Sequence, residues 1–380
     1  MLQQLLRRSG GHQSFHSCGQ SFRNNVTAWA VKRNEELNAQ VKSRNVLIYG
    51  AGAVGAVVAW RLAQIPNVCV SVVCRSNYEA VTLNGFHIST RKWGPGHFIP
   101  QAVYRSPLEA CGKLFDYVLC TNKSTTGSAS SYNELRAVTN GRTAFLALQN
   151  GVDVEAPLRG TFPNNTIISG IVYFNSRQLS PGLISQESSI RSYPVGLAVY
   201  DRRKAEFGVL DDEKLAEFVQ LTGGEFQPLN DAVSERWVKQ LWNGVFNPLC
   251  AIYKLNTHDL LHQPSLAHRI SKAMEEIYII AAASGSSIDP TMPQRLMDVT
   301  KRSPPIVPSM LQDALVHRPM EIESLCGSIW RQGLKLGLDV PTLESIYWQL
   351  VKIQDRHRYD QLNTVLATEL GAETTNIKAF

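Results

Sequence analysis

Between residues 45 and 230 the apolar positions come as short runs separated by turns. Val46 to Tyr49, Val68 to Cys74, Asp116 to Cys120, Thr143 to Leu148 and residues 166–173 (TIISGIVY) are runs of four to eight residues with few polar interruptions. Runs of this length, bounded by turn residues, predict strands buried on both faces of a mostly parallel sheet. AVVAWRLAQ, close behind the first run, has apolar residues at helical spacing, so a strand–helix alternation begins there. Gly85 to Ile88 and Phe98 to Val103 predict short strands of an excursion, and STRKWGPGH between them has turn composition. Further strand-like runs lie within 183–200. The charged stretch Asp201 to Lys214 breaks the pattern, 215–221 reads as helix, and Gly223 to Pro228 as one more short strand.

After Asn230 the texture is helical to the end, with proline-bearing breaks near 264, 290–293, 304–308 and 341. No internal repeat of about 20–50 residues is evident. The expected organisation is an extension over 1–44, an α/β dinucleotide-binding domain over 45–230 and a helical domain over 231–380.

The helical part opens with ERWVKQLWNGVFNP. Lys239, Asn243 and Asn247 are spaced i, i+4, i+8, which puts one ammonium and two carboxamides along a single helix face. Trp237, Val238, Leu241, Trp242, Val245 and Phe246 are apolar, so the segment is expected to be largely buried. A buried Lys beside two Asn needs polar partners or a ligand. The plainer alternative is a solvated stripe on an ordinary amphipathic helix.

The chemistry at the other end of the chain is a loop, Gly50-Ala51-Gly52-Ala53-Val54-Gly55, between a predicted strand and a predicted helix. That is G-x-G-x-x-G in the context that gives it meaning. Gly50 permits the tight turn, Gly52 lets a pyrophosphate approach the backbone, and Gly55 lets helix and strand pack closely. The helix N-terminus then faces the phosphates. A site preferring NAD would place Asp or Glu at the end of the second strand, to bind the ribose 2′-hydroxyl. Here the chain reads Cys74-Arg75-Ser76-Asn77. A guanidinium at Arg75 suits a 2′-phosphate, so NADPH is the expected cofactor. Lys123 and Asn150 follow two later strands, at the edge where doubly wound sheets bind ligands. Asn150 also stands in an Asn-Gly dipeptide, which favours a turn on its own account.

Composition narrows the class. Hydrophobic residues make up 44% of 380, as in a globular protein with room for two domains. The net charge of +6 suits anionic small molecules, and no long Lys/Arg run calls for nucleic acid. No apolar run reaches the ~18 residues of a membrane span. The seven cysteines include no C-x-x-C pair, which points to a reduced compartment and no metal site. His258 and His262 are four apart, but no third ligand is obvious, so a structural role is expected. Residues 1–44 carry Arg7, Arg8, Arg23, Lys32 and Arg33 with no acid before Glu35. That pattern resembles a mitochondrial transit peptide, while a plain tail or a misassigned start would leave the protein cytoplasmic.

In SMLQDALVHRPMEIESLC, Ser309 opens a segment like an N-cap after Pro308, and Glu321 lies between Met320 and Ile322. With these residues in hand, the stretch 45–370 resembles the ketopantoate reductase (2-dehydropantoate 2-reductase) family. The likeness rests on GAGAVG at 50–55, Arg75, Lys123 in VLCTNKS, Asn150 in LQNG, and Lys239, Asn243 and Asn247 in KQLWNGVFNP. Ser309 and Glu321 complete it. The resemblance implies a Rossmann domain followed by a helical domain, with the site in the cleft between. It implies NADPH on the glycine loop and Arg75, with Lys123 and Asn150 near cofactor and substrate. Lys239 would be the general acid/base, and Asn243, Asn247, Ser309 and Glu321 would position the keto acid. Glu321 could also orient Lys239.

The implied reaction is hydride transfer to a 2-keto acid, making pantoate for pantothenate synthesis. Two alternatives stay open: a related reductase for another 2-keto acid or larger ketone, and an inactive dinucleotide-binding regulatory protein. The expected partner is the small keto acid, with no nucleic acid or membrane, and a homodimer is left open. The extension, Pro308, the insert around 91–97 and the charged 201–214 stretch depart from the family's pattern.

Overall fold

The computed structural model describes residues 43–123, 129–189, 193–200 and 205–369. The basic stretch on which the transit-peptide expectation rests therefore lies outside the described residues up to residue 42. Arg44, counted above with the extension, already belongs to the first strand and pairs with Glu217. The chain divides into two compact units after Arg236.

Among the described residues the first unit carries twelve strands. They are β1 (Arg44–Tyr49), β2 (Val68–Val73), β3 (Phe86–Thr90), β4 (Gly94–Phe98), β5 (Ala102–Tyr104), β6 (Tyr117–Cys120), β7 (Ala144–Ala147), β8 (Ile167–Val172), β9 (Phe174–Ser180), β10 (Leu183–Ser189), β11 (Val195–Val199) and β12 (Phe226–Pro228). Eight form one sheet in the order β12-β11-β8-β7-β6-β1-β2-β5. All its pairings are parallel except β11 against β8. The chain runs outward from β1 through β2 to β5, returns to β6, and then runs outward the other way. The switch point is thus between β1 and β6, as the doubly wound reading requires.

Alternation along these strands explains why they read as continuous apolar runs. Val46 and Ile48 face one core with Val70, Val72, Tyr117, Leu119, Ala144 and Leu146. Leu47, Val73, Val118, Cys120, Phe145 and Ala147 face the other. Both faces are buried, so no polar face shows in the sequence. Helix α1 (Ala53–Ala63) covers the first face.

The excursion builds a second sheet in the order β4-β3-β10-β9, packed on α1. Here the sequence reading needs correction. Gly94 to Phe98 is a strand paired with β3, and the turn is confined to 91–93, closed by Thr90 Oγ1 on Trp93 N and Gly94 O. The glycines mislead because Gly96 serves close approach: a Cβ there would lie 2.3 Å from the Trp60 ring of α1. The strand expected over 98–103 is broken, because its two ends belong to different sheets.

Among the described residues the other α-helices of this unit are α2 (Tyr78–Asn84), α3 (Ala156–Thr161) and α4 (Ala205–Leu221). The charges over 205–214 do not interrupt structure. Asp211, Leu215 and Phe218 form the buried stripe of α4, and Asp212, Glu213 and Lys214 lie off that stripe.

Helix α5 (Ala232–Tyr253) begins in the first unit and carries the KQLWNGVFNP row into the second, running on through Pro248. The second unit continues with α6 (Thr257–Leu261), α7 (Pro264–Ala283), α8 (Met292–Arg302), α9 (Ser309–Leu315), α10 (Ser328–Lys335) and α11 (Pro341–Glu369). Among the described residues it contains no strand. Buried apolar residues recur at helical spacing, as at Ile270, Met274, Ile277 and Ile280 of α7. The carboxylate of Glu276, on the same helix, accepts from Thr342 N and Leu343 N and caps α11. Among the described residues no helix is long and apolar enough to cross a membrane.

Candidate active site

In the first unit, four loops meet at the carboxyl ends of β7, β6, β1 and β2. The glycine loop follows β1. Gly50 has φ +103°, and a Cβ there would lie 2.4 Å from the Asn122 backbone. Gly55 is similarly closed in by Thr121 Oγ1 and Gly50 O, at 2.5 and 2.6 Å from its own Cβ position. At Gly52 a Cβ would meet nothing within 4 Å, so the backbone there borders open space. Gly52 is also the N-cap of α1, where no side chain caps the helix and no acid occupies the first turn. The N–H groups that no side chain caps and the positive helix end suit a pyrophosphate. Ala51 is held from both sides, donating to Val73 O and accepting from Asn77 Nδ2 at 2.9 Å. Ala53 and Val54 form the partly buried first turn of α1.

Arg75 lies exposed just past β2, at the same sheet edge. Two residues on, Asn77 is buried and exchanges hydrogen bonds with Gln178 while supporting Ala51. Lys123 lies exposed beyond β6. Thr121 Oγ1 before it donates to Gly50 O at 2.7 Å, tying this loop to the glycine loop. Asn150, partly buried, follows β7. Its neighbour Gln149 reaches back to Asn122 Oδ1 at 3.1 Å and to the Tyr132 hydroxyl at 2.8 Å. Burial pushes the Tyr132 hydroxyl above its ordinary pKa, so it stays a neutral hydrogen-bonding group. The structure thus gathers the loops of Gly50–Gly55, Arg75, Lys123 and Asn150 along one sheet edge. Sequence reading missed the residues that fasten them: Asn77, Asn122, Gln149 and Tyr132.

In the second unit, Lys239 and Asn243 are partly buried on α5, while Asn247 is 4% exposed. Asn247 Oδ1 accepts from Ser309 Oγ at 3.1 Å and from Met310 N at 3.2 Å. This corrects the expectation for Ser309. Pro308 is the N-cap of α9, and Ser309 is its first helical residue. A proline has no side-chain acceptor, so the carboxamide of Asn247 satisfies the helix amide from outside. Two expected site residues, Asn247 and Ser309, are therefore in direct contact.

Glu321 is partly buried and precedes a π-helical turn, Glu323–Gly327. Gln240, next to Lys239 and buried, donates to Leu325 O of that turn at 2.9 Å. Leu325 N in turn donates to Glu321 O at 3.1 Å. Turns of this kind are rare and often lie at functional sites. His258 binds the Thr300 carbonyl at 3.2 Å. No group of three or more metal-ligating side chains occurs among the described residues.

Comparison with known proteins bears on this arrangement. The sequence profile described as "Ketopantoate reductase PanE/ApbA" matches residues 46–196, and its "C terminal" counterpart matches 231–354. The solved 2-dehydropantoate 2-reductase of Methylococcus capsulatus is 30% identical, with a TM-score of 0.68 over 82% of this chain and 97% of that one. This chain belongs to the ketopantoate reductase family. The 2-dehydropantoate 2-reductase of Nostoc sp. is 25% identical over 85% of this chain and 99% of that protein. At 20% identity and a TM-score of 0.71, the fold alone is shared with D-mandelate dehydrogenase, solved with NADH and anilino(oxo)acetate. That match covers 83% of this chain and 99% of the dehydrogenase. A ketopantoate reductase is an oxidoreductase that uses a dinucleotide, and the loops around Gly52 fit one.

Proposed function

We propose that this chain reduces 2-dehydropantoate to pantoate with NADPH. One observation carries the reading: in a member of this family Asn247 and Ser309, two of the residues expected to position the keto acid together with Lys239, Asn243 and Glu321, are in direct contact. The choice of NADPH is supported by Arg75, an exposed guanidinium where a site preferring NADH carries an acid. The glycine loop and the N-terminus of α1 would hold the pyrophosphate, and Arg75 the 2′-phosphate. Lys123 and Asn150 would flank the ribose and nicotinamide side.

NADPH supplies the hydride when bound. The residues of this chain must then orient the keto acid and deliver a proton to the carbonyl oxygen. Negative charge develops there, so the donor has to lie within about 3 Å of it. Lys239, as an ammonium, fills that role. Asn247 has its oxygen engaged by Ser309 and Met310, and its Nδ2 donates to no group among the described residues. That nitrogen is left to donate to the substrate's carbonyl or carboxylate. Asn243 provides a second carboxamide on the same face of α5. Glu321 would accept from a substrate hydroxyl or orient Lys239.

The test is a steady-state assay of NADPH oxidation with 2-dehydropantoate, beside a panel of other 2-keto acids. Phenylglyoxylate supplies the bulky arm, in view of the mandelate dehydrogenase fold neighbour. A kcat/KM for 2-dehydropantoate well above the panel is expected. Preference for another 2-keto acid would overturn the substrate. Tight NADPH binding with no turnover on any acid would overturn the catalytic reading.

A further inference from the structure

Arg236 is the last residue of the first unit, 8% exposed, and its guanidinium meets five acceptors. Nη1 donates to Gln149 O at 3.2 Å and to Gly151 O at 3.0 Å, the two carbonyls that flank Asn150. Nη2 donates to Glu155 Oε1 at 2.6 Å, Ser169 Oγ at 2.7 Å and Gly170 O at 3.3 Å. Glu155, 1% exposed, is the N-cap residue of α3, and Ser169 and Gly170 belong to β8. One planar group therefore ties the loop after β7 to the neighbouring strand and to the next helix. A buried cation of this kind is tolerable only because Glu155 balances its charge and the carbonyls use its remaining donors.

The loop needs such a clamp. Residues 149–151 lie past the end of β7 at Ala147, and Gly151 has φ +115°, so neither carbonyl flanking Asn150 is engaged in a ladder. On the other side, the Gln149 side chain is fastened to Asn122 and Tyr132. We propose that Arg236, with Glu155 behind it, is the positioning residue that presets Asn150 for the bound cofactor. This rests on the functional reading above, which places Asn150 at the cofactor. A lysine at 236 would keep the charge balance with Glu155. It lacks the rigid fork that reaches both flanking carbonyls.

The experiment is a double-mutant cycle on the full chain with Arg236→Lys, Asn150→Ala and the pair. NADPH binding is titrated by fluorescence, and KM for NADPH, kcat and Tm are measured for each. Arg236→Lys should weaken NADPH binding by about tenfold or more, the scale of a displaced binding group, and Asn150→Ala should do likewise. If Arg236 acts through Asn150, the double variant binds within about twofold of the weaker single. Multiplying effects would overturn the proposal, as would an Arg236→Lys defect confined to Tm. A silent Asn150→Ala would also overturn it, while wild-type NADPH binding and turnover would leave the functional reading standing. Should Arg236→Lys fail to fold, Ser169→Ala, which removes one of the five acceptors, completes the same cycle.

Discussion

Asn247→Ala removes the oxygen that accepts from Ser309 and Met310. Ser309 is exposed, so its hydroxyl returns to water at little cost. Met310 is 1% exposed, and its amide is left without an acceptor. An unsatisfied buried amide costs about 1–3 kcal/mol. For a unit of about 150–250 residues that corresponds to a fall in Tm of roughly 2–12 °C. Asn247→Asp keeps an oxygen for both donors, and a charged acceptor binds them more strongly. Burial of the charge opposes that gain, so its midpoint should fall nearer wild type than that of Asn247→Ala. Activity should show the opposite ranking. Loss of a hydrogen bond to a charged substrate costs about 1.5–3 kcal/mol, or roughly 10–150-fold in kcat/KM. The Asp variant loses the same donor and also sets a carboxylate against the keto acid. It should therefore be at least as impaired as the Ala variant. Thermal melts and kcat/KM for 2-dehydropantoate decide the matter. Equal losses of Tm in the two variants would sink the capping argument. A fully active Asp variant would remove Asn247 from the substrate site.

Three further outcomes are expected. Arg75→Asp should shift preference from NADPH toward NADH, because a carboxylate repels a 2′-phosphate and accepts from a 2′-hydroxyl; an unchanged ratio of kcat/KM for the two cofactors would rule out this role. Lys239→Ala should lower kcat by roughly 10²–10⁴ and remove one limb of the pH profile of kcat/KM, with cofactor affinity little changed; near-normal turnover by a folded variant would exclude it as the acid. Burial, followed by the neighbouring His317 and Lys254 charges, holds His357 below its ordinary pKa of 6.5. The fold thus binds fewer protons than the unfolded chain, so its stability is full above pH 6.5 and falls as pH drops below it. Denaturant midpoints from pH 8 to 5 should decline less steeply in His357→Phe, and identical slopes would refute the assignment.

The sheet was legible because its two buried faces leave unbroken apolar runs, and the glycine loop because each glycine answers a separate steric demand. Only at Gly50 and Gly55 is a side chain excluded by atoms already present. At Gly52 the space is open, and the sequence alone cannot separate those cases. The second sheet was only half legible: the runs at 85–88 and from 183 fall on β3 and β10, but β4 was hidden for a related reason. Its Gly94-Pro95-Gly96 has the composition of a turn, yet Gly96 is there to let the Trp60 ring lie against the strand. The charged start of α4 hides a helix because its charge density masks the buried stripe Asp211–Leu215–Phe218 beneath it.

The polar groups that would touch ligand came from motif spacing, but those that hold them did not. Asn77, Gln149, Arg236 and Gln240 act on backbone carbonyls or on other polar side chains across gaps of 17 to 101 residues. Carbonyls belong to every residue, so a donor aimed at one leaves no pattern in the partner's side chain. The one available signal was Arg236 itself. It is a charge set directly before the apolar pair Trp237 and Val238, on a helix expected to be buried. By the reasoning applied to Lys239, such a charge also requires a partner. In the structure that partner is Glu155, an acid shortly past the Asn-Gly turn. A buried cation on a site-bearing helix thus points either to a ligand or to the loop that meets one. In this chain the partly buried Lys239 is proposed for the first case, and the buried Arg236 for the second.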